Sequence, residues 1–157
     1  MSDVFSQVYI QTVFAVRNRH ALIQPAWEDE LYRYITGVVQ HRKHKMLAIG
    51  GMPDHIHIFF GLNTGQALSD LVREIKKAST YFINKQEFTS AKFTWQAGYG
   101  AFSYNKSSLD AVCKYIINQK EHHRKRTFAE EYHKMLADFG IEIGRKKTFD
   151  FSVFDDG

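Results

Sequence analysis

The chain has 157 residues, of which 44% are hydrophobic and 24% charged, enough apolar sequence for one domain with its own core. Lysine and arginine outnumber aspartate and glutamate by 21 to 17, and the net charge of +4 permits nucleic-acid binding without requiring it. The single cysteine, Cys113, excludes an intramolecular disulfide framework and is typical of a reducing compartment. We find no membrane span and no secretory signal in the sequence, so we predict a cytoplasmic protein.

The first half of the chain contains signals for three strands and one helix. Residues 4–16 alternate apolar and polar side chains, which predicts a half-buried first strand. A helix is predicted from Pro25, because the fixed φ of proline suits a first helical turn. Residues 46–50 predict a second strand, and a glycine and proline turn then leads into a third strand over residues 55–60, so that the two strands form a hairpin.

The second half adds helices and one more strand. The apolar spacing from Leu68 to Phe82 predicts a second long helix, and a strand follows at about 99–104. A third helix is predicted to start near Ser108, and a final polar helix over 128–139 ends at Gly140. This order predicts an α+β, ferredoxin-like split β-α-β fold with a four-stranded antiparallel sheet, helices on one face and extra C-terminal helices.

Two histidines on the third predicted strand are the first candidates for chemistry. Because side chains alternate along a strand, His55 and His57 share one face and lie about 7 Å apart along the strand. Two such imidazoles can hold one metal ion, with a third ligand supplied from elsewhere. The alternative is a structural role, since inward-facing histidines on a strand are often satisfied core residues.

Three polar residues share one face of the third predicted helix. Tyr115 and Gln119 are one turn apart, and His122 continues the same stripe. Delivered together to the histidine pair, the amide of Gln119 could serve as an oxygen ligand and the phenol of Tyr115 as a nucleophile. The alternative is that Tyr115 packs in the core and Gln119 lies on the surface.

The order and spacing of these motifs resemble the single-tyrosine HUH transposases, the small bacterial insertion-sequence transposases and their REP-associated relatives. The resemblance runs from about residue 8 to 131, and it rests on four segments: Asp54-His55-Ile56-His57-Ile58, the helix around Ile75-Lys76, Trp95-Gln96-Ala97-Gly98-Tyr99-Gly100, and Tyr115-Ile116-Ile117-Asn118-Gln119 with His122-His123 after it.

The resemblance implies a transposase that nicks and rejoins single-stranded DNA with hairpin-marked ends through a covalent 5′-phosphotyrosine. It implies that His55, His57 and Gln119 bind Mg²⁺ or Mn²⁺ and that Tyr115 attacks the scissile phosphate. Members of the family are homodimers in which the tyrosine can act in trans, which the spacing here leaves open. The implied domain covers residues 1–157, with a catalytic core at about 4–123 and a C-terminal helix and tail at 124–157.

The implied mechanism sets an electrostatic expectation for the site. Two neutral imidazoles and an amide would hold the cation without adding a carboxylate that repels the phosphate, so the site would be net positive. Because free tyrosine has a pKa near 10, Lys114 or Lys120 would help to favour the phenolate. Tyr99 and Tyr104 are competing nucleophiles, but neither has a glutamine one helical turn on.

Basic and aromatic residues supply candidates for DNA contacts, with Phe93 and Tyr99 also able to stack on unpaired bases. The chain could instead be a non-catalytic, ferredoxin-like nucleic-acid-binding module. A third possibility is a metal-dependent hydrolase that uses water. The candidate DNA contacts are Arg73, Lys76, Lys77, Trp95, Lys120, Arg124, Lys125 and Arg126.

Overall fold

The structure, a computed structural model, describes residues 3–141; residues 142–157 of the predicted C-terminal helix and tail lie outside the described residues. Within the described range the chain contains four strands and five α-helices. They are β1 (Tyr9–Ala15), α1 (Pro25–His41), β2 (Lys45–Met52), β3 (His55–Gly61), α2 (Leu68–Lys85), β4 (Gly100–Tyr104), α3 (Leu109–Ile117), α4 (Gln119–His122) and α5 (Phe128–Asp138).

The four strands form one antiparallel sheet in the order β2-β3-β1-β4. This is the strand order of a split β-α-β fold, and it confirms the predicted α+β, ferredoxin-like class. The strand with the two histidines, β3, lies between β2 and β1 and is therefore paired on both sides. None of the helices within residues 3–141 has the length and apolar character to cross a bilayer.

The two faces of the sheet are covered by different helices. One face packs Ile56, Ile58 and Phe60 of β3 against the apolar sides of α1 and α2 in the larger core cluster. On the other face, β1 and β4 pack against α5, while Ala48 and Phe59 pack against α3. The side chains of β3 alternate, so the histidines lie on the second face, beneath the C-terminal helices.

The ends of two elements differ from the sequence prediction. The first strand begins at Tyr9 rather than Val4, because only Tyr9–Ala15 finds partners on β3 and β4; Phe5, before it, is 93% exposed. The predicted third helix is interrupted at Asn118, whose φ of −95° and ψ of 26° end α3, and Gln119 is the first residue of α4. Tyr115 and Gln119 therefore lie on two helices that meet at a bend.

A glycine on β2 sets how closely the tyrosine helix approaches the sheet. Gly50 pairs with His57 across the ladder, and a Cβ built on it would overlap the backbone carbonyl of Ile116 in α3. Since a backbone atom cannot yield as a flexible side chain does, we expect Gly50→Ala to displace α3 and to lower the free energy of unfolding by about 1–3 kcal/mol.

Chemical denaturation monitored by circular dichroism measures this effect. The matched control is Gly37→Ala in α1, where nothing lies within 4 Å of the added Cβ. That substitution should raise stability by about 0.5–1 kcal/mol, because alanine is the better helix former. A Gly50→Ala variant as stable as the wild type would show that α3 does not rest on β2 in this way.

Candidate metal and nucleophile site

The two histidines of β3 are fully buried, and their ring centroids are 5.2 Å apart. His55 Nδ1 donates to Asp54 Oδ1 at 2.7 Å, and His57 Nδ1 donates to Gln11 Oε1 at 2.7 Å. With Nδ1 engaged on each ring, the Nε2 atoms of both rings are directed to the space beneath α4 and α5. A histidine that ligates a metal usually has this arrangement, in which its other ring nitrogen donates to an oxygen that fixes the tautomer.

A carboxylate from α5 lies between the imidazoles. Glu131 is 2% exposed, and its Oε1 is 3.1 Å from His57 Nε2, 3.1 Å from His123 Nε2 and 3.4 Å from His55 Nε2. Neither Glu131 nor His123 was among the predicted catalytic or metal-binding residues. The expectation that the site would contain no carboxylate was therefore wrong, because a buried acid occupies its centre.

The same carboxylate is bonded to the two residues predicted from the tyrosine helix. The Tyr115 hydroxyl and Gln119 Nε2 both donate to Glu131 Oε2, the latter at 3.1 Å. Gln119 Oε1 is 3.3 Å from His55 Nε2. Gln119 is 1% exposed, which contradicts the alternative that placed it on the surface, and Tyr115 is half-buried against a core cluster. The structure thus brings His55, His57, Tyr115 and Gln119 together in one chain.

The cluster changes how its members ionise. Burial alone would raise the pKa of Glu131, but contacts with His123, His55 and His57 outweigh it and hold that pKa well below its usual range. Burial lowers the pKa of His57, whereas contacts with Asp54 and Glu131 overcome burial and raise the pKa of His55. The carboxylate is therefore ionised at pH 7.

The tyrosine itself is held in its protonated form by its surroundings. Burial and then the Glu131 carboxylate raise the pKa of Tyr115 above its ordinary value. Lys120, one of the two lysines expected to favour the phenolate, has its Nζ paired with Glu28 at 3.0 Å. The positive charge of Arg126 acts in the opposite direction and lowers the pKa of Tyr115. His122 stacks on the Tyr115 ring at 4.4 Å between centroids and fixes its plane.

Two clefts open beside the tyrosine and the histidines. One, of about 430 Å³, is lined by Tyr115, Glu131 and Arg126. The other, of about 930 Å³, is more basic and borders the histidine cluster at His123 and Asp54. Its basic lining residues are Arg19, His123, Arg124, Lys125, Arg126 and His133. Arg126 belongs to both clefts and joins them.

The candidate DNA contacts on α2 lie elsewhere. Arg73, Lys76 and Lys77 belong to the helix on the opposite face of the sheet. Lys76 Nζ donates to the backbone oxygens of Gln96 at 2.9 Å and Gly98 at 2.6 Å, and burial lowers its pKa to about 8. Lys76 therefore braces a loop, and the three residues do not face the histidine cluster.

The aromatic candidates for base stacking lie mostly in the core. Trp95 is 9% exposed, its indole nitrogen donates to Ser79 Oγ at 2.9 Å, and Phe14 and Phe93 pack edge-on against its ring. Phe93 is fully buried. The proposal that Trp95 stacks on DNA is therefore corrected to a packing role, whereas Tyr99 remains 36% exposed.

Comparison with known proteins identifies the family. The sequence model described as "Transposase IS200 like" matches residues 4–119, more than half of the chain, including all four strands and the motifs with the histidines, the tyrosine and the glutamine. The chain belongs to the IS200-like transposase family. This membership confirms the family inferred from the motifs and implies an enzyme of DNA cleavage and strand transfer. The match ends before α5, so it does not include Glu131.

Individual relatives agree with this membership. The ISDra2 transposase TnpA of Deinococcus radiodurans is 22% identical over 121 residues, which cover 73% of this chain and 86% of the relative. A crystal structure of a provisionally named transposase from Deinococcus radiodurans R1 superposes with a TM-score of 0.62 at 18% identity, covering 76% of this chain and 95% of that one. A REP-associated tyrosine transposase bound to a REP hairpin superposes with a TM-score of 0.56 at 23% identity, and the match covers 98% of this chain and 96% of that one.

Proposed function

We propose that this family member nicks and rejoins single-stranded DNA through a covalent 5′-phosphotyrosine at Tyr115, with a divalent cation at the histidine pair. One observation supports this most directly: the Tyr115 hydroxyl and both imidazoles meet at the same carboxylate, that of Glu131. A nucleophile and a cation site that share one residue can act on one phosphorus atom.

The residues present fit a divalent cation. Ligand atoms of His55, His57 and Glu131 lie within 4.8 Å of one another, and all three side chains are buried. A neutral imidazole that donates from Nδ1 has only a lone pair at Nε2, and lone pairs that converge with a carboxylate oxygen make a ligand set for a cation. The oxygen ligands suit Mg²⁺ or Mn²⁺. A cation bound here would polarise the scissile phosphate and stabilise its developing charge.

The chain's own residues then account for the transfer. The Tyr115 oxygen forms a bond to phosphorus, the bond from phosphorus to the 3′-oxygen breaks, and the leaving strand ends in a 3′-hydroxyl. The phenol loses one proton and the 3′-oxygen gains one, so the exchange balances, and the Glu131 carboxylate orients the phenol by accepting its hydrogen bond at Oε2. The phosphotyrosine remains a phosphodiester, so a 3′-hydroxyl can reverse the attack without ATP.

The test uses the full chain with Mn²⁺ and a pool of labelled single strands, each with a hairpin and a randomised single-stranded flank. We expect a labelled species that migrates with the protein in denaturing gels and disappears on protease digestion. A pool that is bound but never becomes attached would overturn the proposal in favour of a non-catalytic binding module.

We propose that the single strand lies along the two joined clefts, with Arg124, Lys125 and Arg126 near its phosphates. Arg126 is exposed and borders the tyrosine, whereas the Arg73 guanidinium lies on the opposite face of the sheet and pairs with Asp70 at 3.1 Å. A contact to phosphate contributes through counterion release, so its loss weakens binding and lowers the salt dependence together.

Arg126→Ala is therefore expected to weaken binding of a hairpin-free single-stranded oligonucleotide about three- to tenfold and to reduce the salt slope by about one. Fluorescence anisotropy at several salt concentrations measures both quantities. The matched control Arg73→Ala removes the same charge from the other face and should leave this binding unchanged. Equal losses in the two variants would place the strand elsewhere.

Homodimerisation and the hairpin-bearing partner DNA also stay predictions. The described residues of a single chain already bring the tyrosine to the histidines, which supports a nucleophile that acts in cis. His57 and Tyr115 are neighbours, with ring centroids 6.1 Å apart.

A further inference from the structure

The segment that completes the histidine cluster lies outside the part of the chain that the family model matches. The family match ends at Gln119, whereas α5 begins at Phe128 and is attached by the turn after α4. Thr127 caps α5 by accepting a hydrogen bond from the Glu130 backbone N–H at 3.2 Å. Phe128, Tyr132 and Leu136 then pack on the sheet and present Glu131 to the cluster.

The two oxygens of Glu131 have separate partners. Oε1 is surrounded by the Nε2 atoms of His55, His57 and His123. Oε2 accepts hydrogen bonds from Tyr115 and Gln119. The donors on Oε2 fix the orientation of the carboxylate, so that Oε1 is directed at the same position as the imidazole lone pairs.

Gln119 is less well placed to be a ligand in its own right. Its Nε2 is used to hold Glu131, and its Oε1 lies 3.3 Å from the Nε2 of His55 alone. The charges also favour the acid, because a buried divalent cation is better compensated by one carboxylate than by a neutral amide. Mg²⁺ and Mn²⁺ both prefer carboxylate oxygens among protein ligands.

We infer that Glu131 Oε1 is the third protein ligand of the cation and that Gln119 is a positioning residue that orients it. This inference rests on the proposed function for the presence of a cation at His55 and His57. A consequence follows for the fold: since the ligand is carried by α5, binding of the cation stabilises α5 against the sheet. The active site and the docking of this helix are thus energetically coupled.

Titration calorimetry with Mn²⁺ alone, on the full chain without DNA, tests the ligand assignment. We expect Glu131→Gln to weaken Mn²⁺ binding about 100-fold or more and Gln119→Ala to weaken it at most about tenfold. The matched control, Glu130→Gln, removes the same charge from an exposed neighbour on α5 and should change the affinity by less than about twofold. A larger loss in Gln119→Ala than in Glu131→Gln would overturn the assignment.

Hydrogen exchange measured by mass spectrometry gives a second readout that needs no catalysis. Mn²⁺ should slow exchange of the α5 amides in the wild type and in Glu130→Gln, but not in Glu131→Gln. Exchange of α2, on the opposite face, reports whether each variant is folded. Tight Mn²⁺ binding with no slowing of α5 exchange would contradict the coupling. The expected metal binding without any DNA adduct would leave this inference standing and refute the proposed function.

Discussion

Tyr115→Phe is expected to lower formation of the covalent protein–DNA species by at least about 10³-fold, because the phenol oxygen is the atom that bonds to phosphorus. The ring that remains can still stack on His122, so packing around α3 and binding of single-stranded DNA should be nearly unchanged. Denaturing gels with labelled hairpin DNA measure the adduct, and anisotropy measures binding. The matched control is Tyr104→Phe, which removes a hydroxyl that accepts from Gln11 at 2.8 Å. An undiminished adduct in Tyr115→Phe would assign the attack to another residue.

Mixing two inactive variants decides whether the tyrosine acts in cis. If the site is completed within one chain, Tyr115→Phe mixed with His57→Ala yields no adduct, because neither protein contains a full site. If the tyrosine helix is exchanged between subunits, a mixed dimer contains one intact site and activity returns. We expect no recovery, since Tyr115 and His57 both contact Glu131 of the same chain.

His57→Ala is expected to reduce DNA cleavage by about 10²–10³-fold and to abolish measurable Mn²⁺ binding, because it removes a ligand from a buried site. His57→Gln, which retains a polar side chain beside Gln11, serves as a second variant should the alanine protein fail to fold. The control His41→Ala alters an exposed histidine at the end of α1 and should be fully active. Cleavage that persists in both His57 variants would contradict a role for the cation.

Comparing Tyr115→Phe with His57→Ala also distinguishes a strand transferase from a hydrolase. A metal-dependent hydrolase that uses water would still cut DNA after loss of Tyr115 but not after loss of His57. The transferase loses both cleavage and adduct in each variant. Free cleaved DNA from Tyr115→Phe is therefore the result that favours the hydrolase.

Much of the fold followed from local signals in the sequence. The alternation that placed His55 and His57 on one face also placed Ile56 and Ile58 on the other, where they pack on α1 and α2. Pro25 begins α1, and Gly140, with a φ of +67°, follows α5 as predicted. The periodicity of apolar residues and the turn-forming residues determine such features. They can therefore be predicted without knowing which distant residues are in contact.

The centre of the site could not be predicted as easily. Glu131 belongs to a helix that reads as polar, and its role depends on how α5 docks on the sheet. A signal was present, since Phe128, Tyr132 and Leu136 form an apolar stripe in which Glu131 is the only acid. An acid within the buried stripe of a helix indicates a partner for its charge, here the three imidazoles.

The distance of some predicted DNA contacts from the histidine cluster has a similar cause. Lys76 and Trp95 were candidates because of residue type alone, but tertiary structure gave both internal partners. An isolated β-bridge between Val16 and Trp95 places the tryptophan beside the sheet, where it packs in the core. The topology of the whole fold determines which face of the sheet α2 covers. The composition of the sequence does not predict it.

Mapping the attachment site by mass spectrometry tests the central claim most directly. The wild-type chain is incubated with Mn²⁺ and hairpin-bearing single strands, digested with nuclease and protease, and the peptide that retains a nucleotide is sequenced. We expect a 5′-linked nucleotide on Tyr115, joined through its phenol oxygen. A nucleotide on Tyr99, Tyr104 or any other residue, or cleaved DNA with no modified peptide, would contradict it.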